Sequence, residues 1–289
     1  MRVDLHTHSA VSDGTDPPAE LVAKAVAAGL DVLALTDHDT TAGWAEALAA
    51  APPRLRVLPG AELSTCTADG ISVHLLAYRF DPDAPALVRE QARLRQVRRA
   101  RLRAMVRRMA ADGFPVDEDT VLDGLAPDAP AGRPHLARAL VAAGVVGSVS
   151  EAFASYLHDG GPYHLRREDT PVLDAVRMIA EAGGVTVLAH PLAARGGRVV
   201  GEPAIAELAA AGLAGVEVDH PQHDEPARAS LRGLAAELGL VPTGGSDYHG
   251  GNKPTPLGAE TTAPDAFEAL LAKVPAPPAI PVTLPHPAG

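Results

Sequence analysis

The stretch that decides the fold is residues 1–14, MRVDLHTHSAVSDG. Residues 2–5 read as a short strand that runs directly into His6-Thr7-His8. Side chains two apart on an extended segment point the same way, so both imidazoles can reach one ion. Asp13 follows in a Ser-Asp-Gly turn that folds the chain back over the strand end. Two histidines and a carboxylate at the mouth of a strand form a donor set for a divalent transition metal. An HxH also arises by chance, so the rest of the chain has to decide.

Working outward, short Val/Leu/Ile-rich runs predict strands at residues 2–5, 31–36, 56–63, 70–78, 184–189, 215–219 and 240–245. Amphipathic stretches at 18–28, 41–51, 171–182, 202–211 and 226–238 alternate with them, many starting at Pro or Thr and ending at Gly. Repeated strand–helix units predict a parallel α/β barrel, one strand short of the usual eight. The alternation breaks at residues 81–165, which read as a helical insertion forming a cap over the barrel mouth, with helices at 84–112, 134–143 and 150–158. Residues 1–80 and 166–274 are left for the barrel, and 275–289 form a Pro-rich tail.

The composition is 46% hydrophobic with only 3% aromatic residues, so Ala, Leu and Val must do the packing. No run is long enough to span a membrane, and the N-terminus carries no basic-then-apolar secretory pattern. A single cysteine, Cys66, excludes an internal disulfide and suits a reducing cytoplasm. A net charge of −11 argues against binding along nucleic-acid tracts.

The polar residues fall at the strand ends. After the first strand come His6, His8 and Asp13; after the second, Asp37, His38 and Asp39; the third closes on Glu62. His74 interrupts an apolar strand, ISVHLLAY, and the last three strands end in His190, Asp219-His220 and Ser246-Asp247-Tyr248-His249. Any one of these has a structural explanation, a core histidine or a helix cap. Seven together are hard to explain as packing, because buried ionisable groups are costly without charges to pair with. Metal cations supply that pairing.

HTHSAVSDG, TDHD, GAELS, the isolated His74, AHP and SDYH, in this order, resemble the polymerase and histidinol phosphatase (PHP) superfamily of metal-dependent phosphoesterases. GRPHLARAL at residues 132–140, with the insertion, is similar to the subgroup holding nucleoside 3′,5′-bisphosphate phosphatases and a 5′-to-3′ exoribonuclease. The resemblance implies a distorted seven-stranded barrel with two to three divalent ions drawn from Mn, Fe, Zn or Mg, Mn or Zn favoured. It places His6, His8, Glu62 and Asp247 on the first ion, and Glu62, His74 and His190 on the second, with Glu62 bridging. Asp13, His38 and His249 would hold the third, where some relatives carry a histidine in place of Asp13.

Clustered divalent cations activate water and neutralise phosphoryl oxygens. Glu62 is therefore expected to be central to catalysis, with Asp37 orienting His38 or its loop. His220, which has no ligand slot in the family pattern, is expected either to protonate the leaving oxygen or to hold a hydrogen bond. On the helix of residues 93–109, Arg98 and Arg101 fall inside the apolar stripe, where a guanidinium needs an anion. Either a substrate phosphate or one of the chain's own acids supplies it. Arg133 and His135, in GRPH, are the other candidates for a phosphate clamp. His158, His164, His223 and His286 are expected at the surface.

The expected substrate is a small phosphorylated nucleotide or a short oligonucleotide end. Histidinol-phosphate phosphatase and a non-catalytic PHP module are the alternatives; the first should lack the GRPH segment, and the second usually loses ligands.

Overall fold

The computed structural model describes residues 1–274 except 124, 127, 128 and 194–197. The Pro-rich tail therefore lies outside the described residues. The strands are β1 (Val3–Asp4), β2 (Val32–Leu35), β3 (Arg56–Cys66), β4 (Ser72–Tyr78), β5 (Thr170–Pro171), β6 (Val185–Ala189), β7 (Gly215–Asp219) and β8 (Val241–Gly244). Between them run α1 (Pro18–Ala27), α2 (Trp44–Ala50), α7 (Val172–Glu181), α8 (Glu202–Ala210) and α9 (Glu225–Leu238), with α10 (Pro264–Ala272) last. The helix α9 shows why these segments are helical. Asp224 caps its first turn by accepting from Ala227 N–H at 2.9 Å, Pro226 fits the first turn, and Gly239 ends it at φ 66°.

Seven strands in the order β1-β2-β3-β4-β6-β7-β8 make a nearly closed barrel. The short β5 and the helix α10 were not foreseen; β5 pairs with β3 off the main path. Val3, Leu5, Ala34, Leu58, Leu76, Tyr78, Val187 and Val241 share one buried cluster with Phe267 and Leu270 of α10. No helix among the described residues is long and apolar enough to cross a membrane.

The expectation of an all-parallel barrel needs one correction. The strand β4 is antiparallel to both β3 and β6, while the other barrel pairings are parallel. Residues 67–71 between β3 and β4 are too few for a crossover, which takes about a dozen residues. Gly70, at φ 78°, turns the chain into a hairpin instead. Because β4 is inverted, its N-terminal end lies at the mouth. His74, paired with Ser64 on one side and Ala189 on the other, reaches the mouth for that reason.

Residues 81–165 hold α3 (Pro85–Ala111), α4 (Glu118–Leu122), α5 (Arg133–Ala142), α6 (Val149–Ala152) and a π turn over Phe153–Leu157. Leu102, Met105, Met109, Leu136, Leu140 and Tyr163 belong to an apolar cluster separate from those of the barrel. The front of α3 belongs to the barrel instead, through Leu87.

The seam between β8 and β1 is closed largely by a side chain. One backbone bridge pairs Thr7 with Tyr248, where His8 N–H donates to Tyr248 O at 2.9 Å. The Asp4 carboxylate accepts from the N–H groups of Ser246 (3.0 Å), Gly258 (2.9 Å) and His6 (3.3 Å). Burial pushes its carboxyl above the usual range against those hydrogen bonds. Asp4→Asn replaces an acceptor-only group by one with a single acceptor oxygen. It is expected to destabilise the metal-free protein by about 1–3 kcal/mol in urea unfolding. An unchanged midpoint would show that the seam is held by other contacts.

Candidate metal centre

The histidine pair is pinned from behind by the residue between them. Thr7 donates through Oγ1 to Ala34 O at 2.6 Å and through N–H to Thr36 Oγ1 at 3.1 Å, leaving His6 and His8 on the other face. Two glycines permit the crowding. A Cβ at Gly245 would stand 2.4 Å from His6 Cβ, and one at Gly14 would stand 2.5 Å from His8 O. Asp37 accepts from Ser9 N–H (2.8 Å), Ser9 Oγ (2.6 Å) and Ser12 Oγ (2.6 Å). It therefore orders the loop that presents Asp13 and makes no hydrogen bond to His38. Asn252 Nδ2 donates to Asp13 O at 2.6 Å from the other side.

Four donors form a compact cage. His6 Nε2 and His8 Nε2 lie 3.1 Å apart, each 3.0–3.2 Å from Glu62 Oε2 and 3.4–3.5 Å from Asp247 Oδ1. Tetrahedral metal bonds of about 2.1 Å place neighbouring donors about 3.4 Å apart, so the cage fits a divalent ion. The other oxygen, Glu62 Oε1, lies 2.6 Å from His74 Nδ1 and 3.2 Å from His190 Nε2. Glu62 thus faces two donor groups with different oxygens. Asp13 lies 3.3 Å from His249 Nε2, 3.6 Å from His38 Nε2 and 3.8 Å from His8 Nδ1. His38 also stands between groups, its Nδ1 being 3.3 Å from Glu62 Oε2. His8 Nδ1 and His38 Nδ1 are buried without a hydrogen bond among the described residues, which suits ligands better than packing residues.

Burial opposes every charge in this nest; mutual attraction overcomes it at Glu62, Asp247 and His8, while His38 and His249 are held down by burial, with Arg98 and Lys253 adding to it. Burial raises the Glu62 carboxyl, yet His74, His6 and His38 hold it well below the usual range. Asp247 behaves likewise, with Lys253 and His6 overcoming its burial. Burial lowers His8, but hydrogen bonds to Asp247 and Glu62 hold it up at about 9. The backbone is strained here too. Asp39, His190 and Asp247 have φ of 50°, 29° and 50°, conformations that cost non-glycine residues about 1–3 kcal/mol each.

Two contributors escaped the sequence reading. Glu217, in the middle of the apolar strand β7, bonds His6 Nδ1 at 3.0 Å. An acid inside GVEVD, inward on the strand's period of two, was the available signal. Lys253 pairs with Asp247 Oδ2, and no sequence pattern singles it out.

A cavity of about 1310 Å³ opens from the nest and is lined beyond it by Arg98, Arg101, Arg133, Arg166 and Arg167. The expected clamp is redistributed. Arg98 is buried and ion-paired with Asp39, and its Nη2 donates to Ser64 Oγ at 2.6 Å. The anion it needed is one of the chain's own acids. His135 caps α5, its Nδ1 accepting Gly132 N–H at 3.1 Å. Burial and then Arg138 hold it down at about 4, and it is not among the described residues lining the cavity. Arg133 lines the cavity while paired with Asp159 at 2.6 Å.

Arg101 differs from these. It donates through Nε to Leu165 O at 2.7 Å and pairs with no carboxylate among the described residues. Burial, followed by Arg133, Arg167 and Arg98, pulls it down to about 9. His220 lines the cavity at the metal end, its Nε2 3.3 Å from Asp247 Oδ2 and its Nδ1 accepting from Gln222 N–H. His223, expected at the surface, is buried; its Nδ1–H donates to Val218 O at 2.9 Å. His158 is exposed and His164 partly so, while His286 lies outside the described residues.

Histidines and carboxylates gathered at the strand ends of such a barrel, beside a basic cavity, are the equipment of a metal-dependent hydrolase of anionic esters. Residues 4–116 match the PHP domain. The chain is 36% identical to the 3′,5′-nucleoside bisphosphate phosphatase of Chromobacterium violaceum, over 86% of this chain and 87% of that protein. It is 34% identical to the 5′-3′ exoribonuclease of Haemophilus influenzae, over 86% and 90%. A solved structure from Bifidobacterium adolescentis, described as a metal-dependent phosphoesterase, superposes with TM-score 0.90 at 36% identity, over 95% and 96% of the two chains. The chain belongs to the PHP family of metal-dependent phosphoesterases and is a hydrolase of phosphoric ester bonds.

Protons compete with the ion for this nest. With His8 raised to about 9 from 6.5, ion binding must expel its proton throughout that interval. Divalent-ion affinity of chelator-stripped protein is therefore expected to fall as pH drops from about 9 to 6.5. The same His8 shift adds stability to the metal-free fold below 6.5 and loses it as pH rises through about 9. Calorimetry in buffers of different ionisation enthalpy reads the proton release; pH-independent affinity would contradict it.

Proposed function

We propose that the protein removes the 3′-phosphate from nucleoside 3′,5′-bisphosphates and also acts on 5′-phosphorylated ends of short RNA. One observation carries this reading: a single cavity has the histidine–carboxylate nest at one wall and, at another, Arg101, which has no carboxylate partner among the described residues. A substrate with two phosphates engages both walls. A half-buried guanidinium crowded by Arg133, Arg167 and Arg98 gains most from an incoming anion. The names of the relatives from Chromobacterium violaceum and Haemophilus influenzae support the same substrate class.

Divalent ions held here, two or three and most suitably Mn or Zn, would supply an activated water and neutralise the phosphoryl oxygens of a group carrying about two negative charges. His6, His8, Glu62 and Asp247 hold the first ion; Glu62, His74 and His190 the second; Asp13, His38 and His249 the third. Asp37 sets the Asp13 loop. His220 serves the leaving oxygen as a hydrogen-bond donor: its Nδ1 accepts Gln222 N–H, so the neutral ring carries its proton on Nε2, at the cavity; delivering a proton requires the ring protonated on both nitrogens, with the Gln222 bond given up. Residues 81–165 act as the cap that supplies Arg101 and Arg133. With all nine ligand positions occupied by donors, a non-catalytic module is disfavoured. Histidinol phosphate, with one phosphate, leaves Arg101 without a role. The lone Cys66 fits work in a reducing cytoplasm.

Arg101→Met is expected to lower kcat/KM for a nucleoside 3′,5′-bisphosphate about ten- to a hundredfold, from a charge-assisted contact of roughly 1.5–3 kcal/mol. The 3′-monophosphate should be nearly unaffected. Arg133→Ala should act in the same direction but less, since Asp159 already pairs with Arg133. Steady-state kinetics with both nucleotides, histidinol phosphate and a 5′-phosphorylated oligoribonucleotide test the reading. Equal loss on bisphosphate and monophosphate would move Arg101 to the reacting phosphate, and a preference for histidinol phosphate would replace the proposal.

Glu62→Gln should cost more activity than any other single ligand change, because its two oxygens face two donor groups. Retention of more than about a tenth of the wild-type rate, a loss below roughly 1.4 kcal/mol, would refute the bridging assignment.

A further inference from the structure

The residues that touch the ions do not orient themselves, and Glu217 stands behind two of them. It lies at the centre of β7, 1% exposed, and is not among the described residues lining the cavity. Its carboxylate is divided. Oε1 lies 3.0 Å from His6 Nδ1, and Oε2 accepts the backbone N–H of His190 at 2.8 Å. His6 belongs to the first donor group, with Nε2 3.2 Å from Glu62 Oε2. His190 belongs to the second, with Nε2 3.2 Å from Glu62 Oε1. From these contacts we infer that Glu217 is a positioning residue shared by two ion sites: it fixes the His6 tautomer for the first and the His190 backbone for the second. The inference rests on His6 and His190 being ligands, as the proposed function has them.

The argument is one of donors and acceptors. An ionised carboxylate only accepts hydrogen bonds, so Glu217 is satisfied when His6 carries a proton on Nδ1. Neutral His6 then presents the Nε2 lone pair to the cage. At His190, φ is 29°, a left-handed value that a residue with a Cβ adopts only when its surroundings impose it. The bond from its N–H to Glu217 Oε2 is one such restraint. Glu217 also lies within ligand distance of His6, His190 and His220. Its two oxygens already serve N–H donors, however, and it sits behind the histidines, so it orients ligands without being one. A carboxylate placed this way raises ligand basicity and sets ring orientation.

Glu217→Gln separates this role from simple packing because it preserves size and reverses one hydrogen bond. The backbone N–H of His190 cannot accept, so the amide oxygen must face it and the NH₂ group must face His6 Nδ1. That nitrogen then becomes an acceptor, and the ring proton moves to Nε2, where the ion should bind. Zinc titrations of chelator-stripped Glu217→Gln against a chromophoric competitor are expected to show the first ion weakened about ten- to a hundredfold, with the second little changed because the amide oxygen keeps the bond to His190 N–H. Glu217→Ala, which removes both contacts, should weaken both ions.

In ¹⁵N spectra of the zinc-loaded wild type, His6 should appear with Nδ1 protonated and Nε2 ligated, a pattern lost in the Gln variant. Circular dichroism of the metal-free proteins reports folding. If the Gln variant does not fold, Glu217→Ala must still weaken both ions. Unchanged affinity for the first ion in the folded Gln variant overturns the inference, as does weakening of one ion alone in Glu217→Ala. Since no substrate is present, the outcome is independent of which phosphate ester the enzyme hydrolyses.

Discussion

Everything at the barrel mouth depends on Glu62, whose two oxygens face different sets of histidines within about 3 Å. A carboxylate at 1% exposure is stable only if positive charge surrounds it. The chain gathers imidazoles from the ends of four strands to provide that charge. Those histidines are themselves buried, so the nest is a mutual arrangement in which removing one member exposes the others to uncompensated desolvation. The cage of His6, His8, Glu62 and Asp247 has donor spacings suited to metal bonds of about 2.1 Å.

The barrel is shaped to serve this arrangement. In an all-parallel sheet the N-terminal end of β4, and His74 with it, would lie at the end away from the mouth. The short hairpin at residues 67–71 inverts β4 and moves His74 to the same end as Glu62 and His190. The inversion also sets β4 between β3 and β6, so the strands carrying Glu62 and His190 flank the one carrying His74. The strained backbone at Asp39, His190 and Asp247 lies in the same region. Local preference gives way there to the placement of side chains.

The basic helix α3 divides its arginines by depth. Arg98, deepest, is neutralised by Asp39, a carboxylate that also accepts from Ser64 N–H at 2.8 Å and so binds the insertion to the barrel. Arg101, one turn further on and closer to the cavity, has no carboxylate partner among the described residues. Two guanidiniums three residues apart on one helix face thus end in opposite states. One is a structural tie, and the other lines the cavity, bonded to the Leu165 carbonyl. His135, read beside Arg133 in GRPH, proved to be a helix cap, because a ring at that position reaches its own Gly132 N–H before anything across the cavity.

The sequence by itself determined the donor inventory and the periodicity. His6 and His8 two apart on a strand, an acid or histidine after each apolar run, and helices bounded by Pro and Gly are local facts. Local facts survive folding: His6, His8, Asp13, His38, Glu62, His74, His190, Asp247 and His249 all converge on one nest. Only the tertiary structure decided which acid neutralises Arg98 and what stands behind His6. Those depend on contacts between residues 59 and 211 apart in sequence, for Arg98–Asp39 and His6–Glu217. No window of the chain contains both partners of such a pair, so their energy is invisible until the barrel closes.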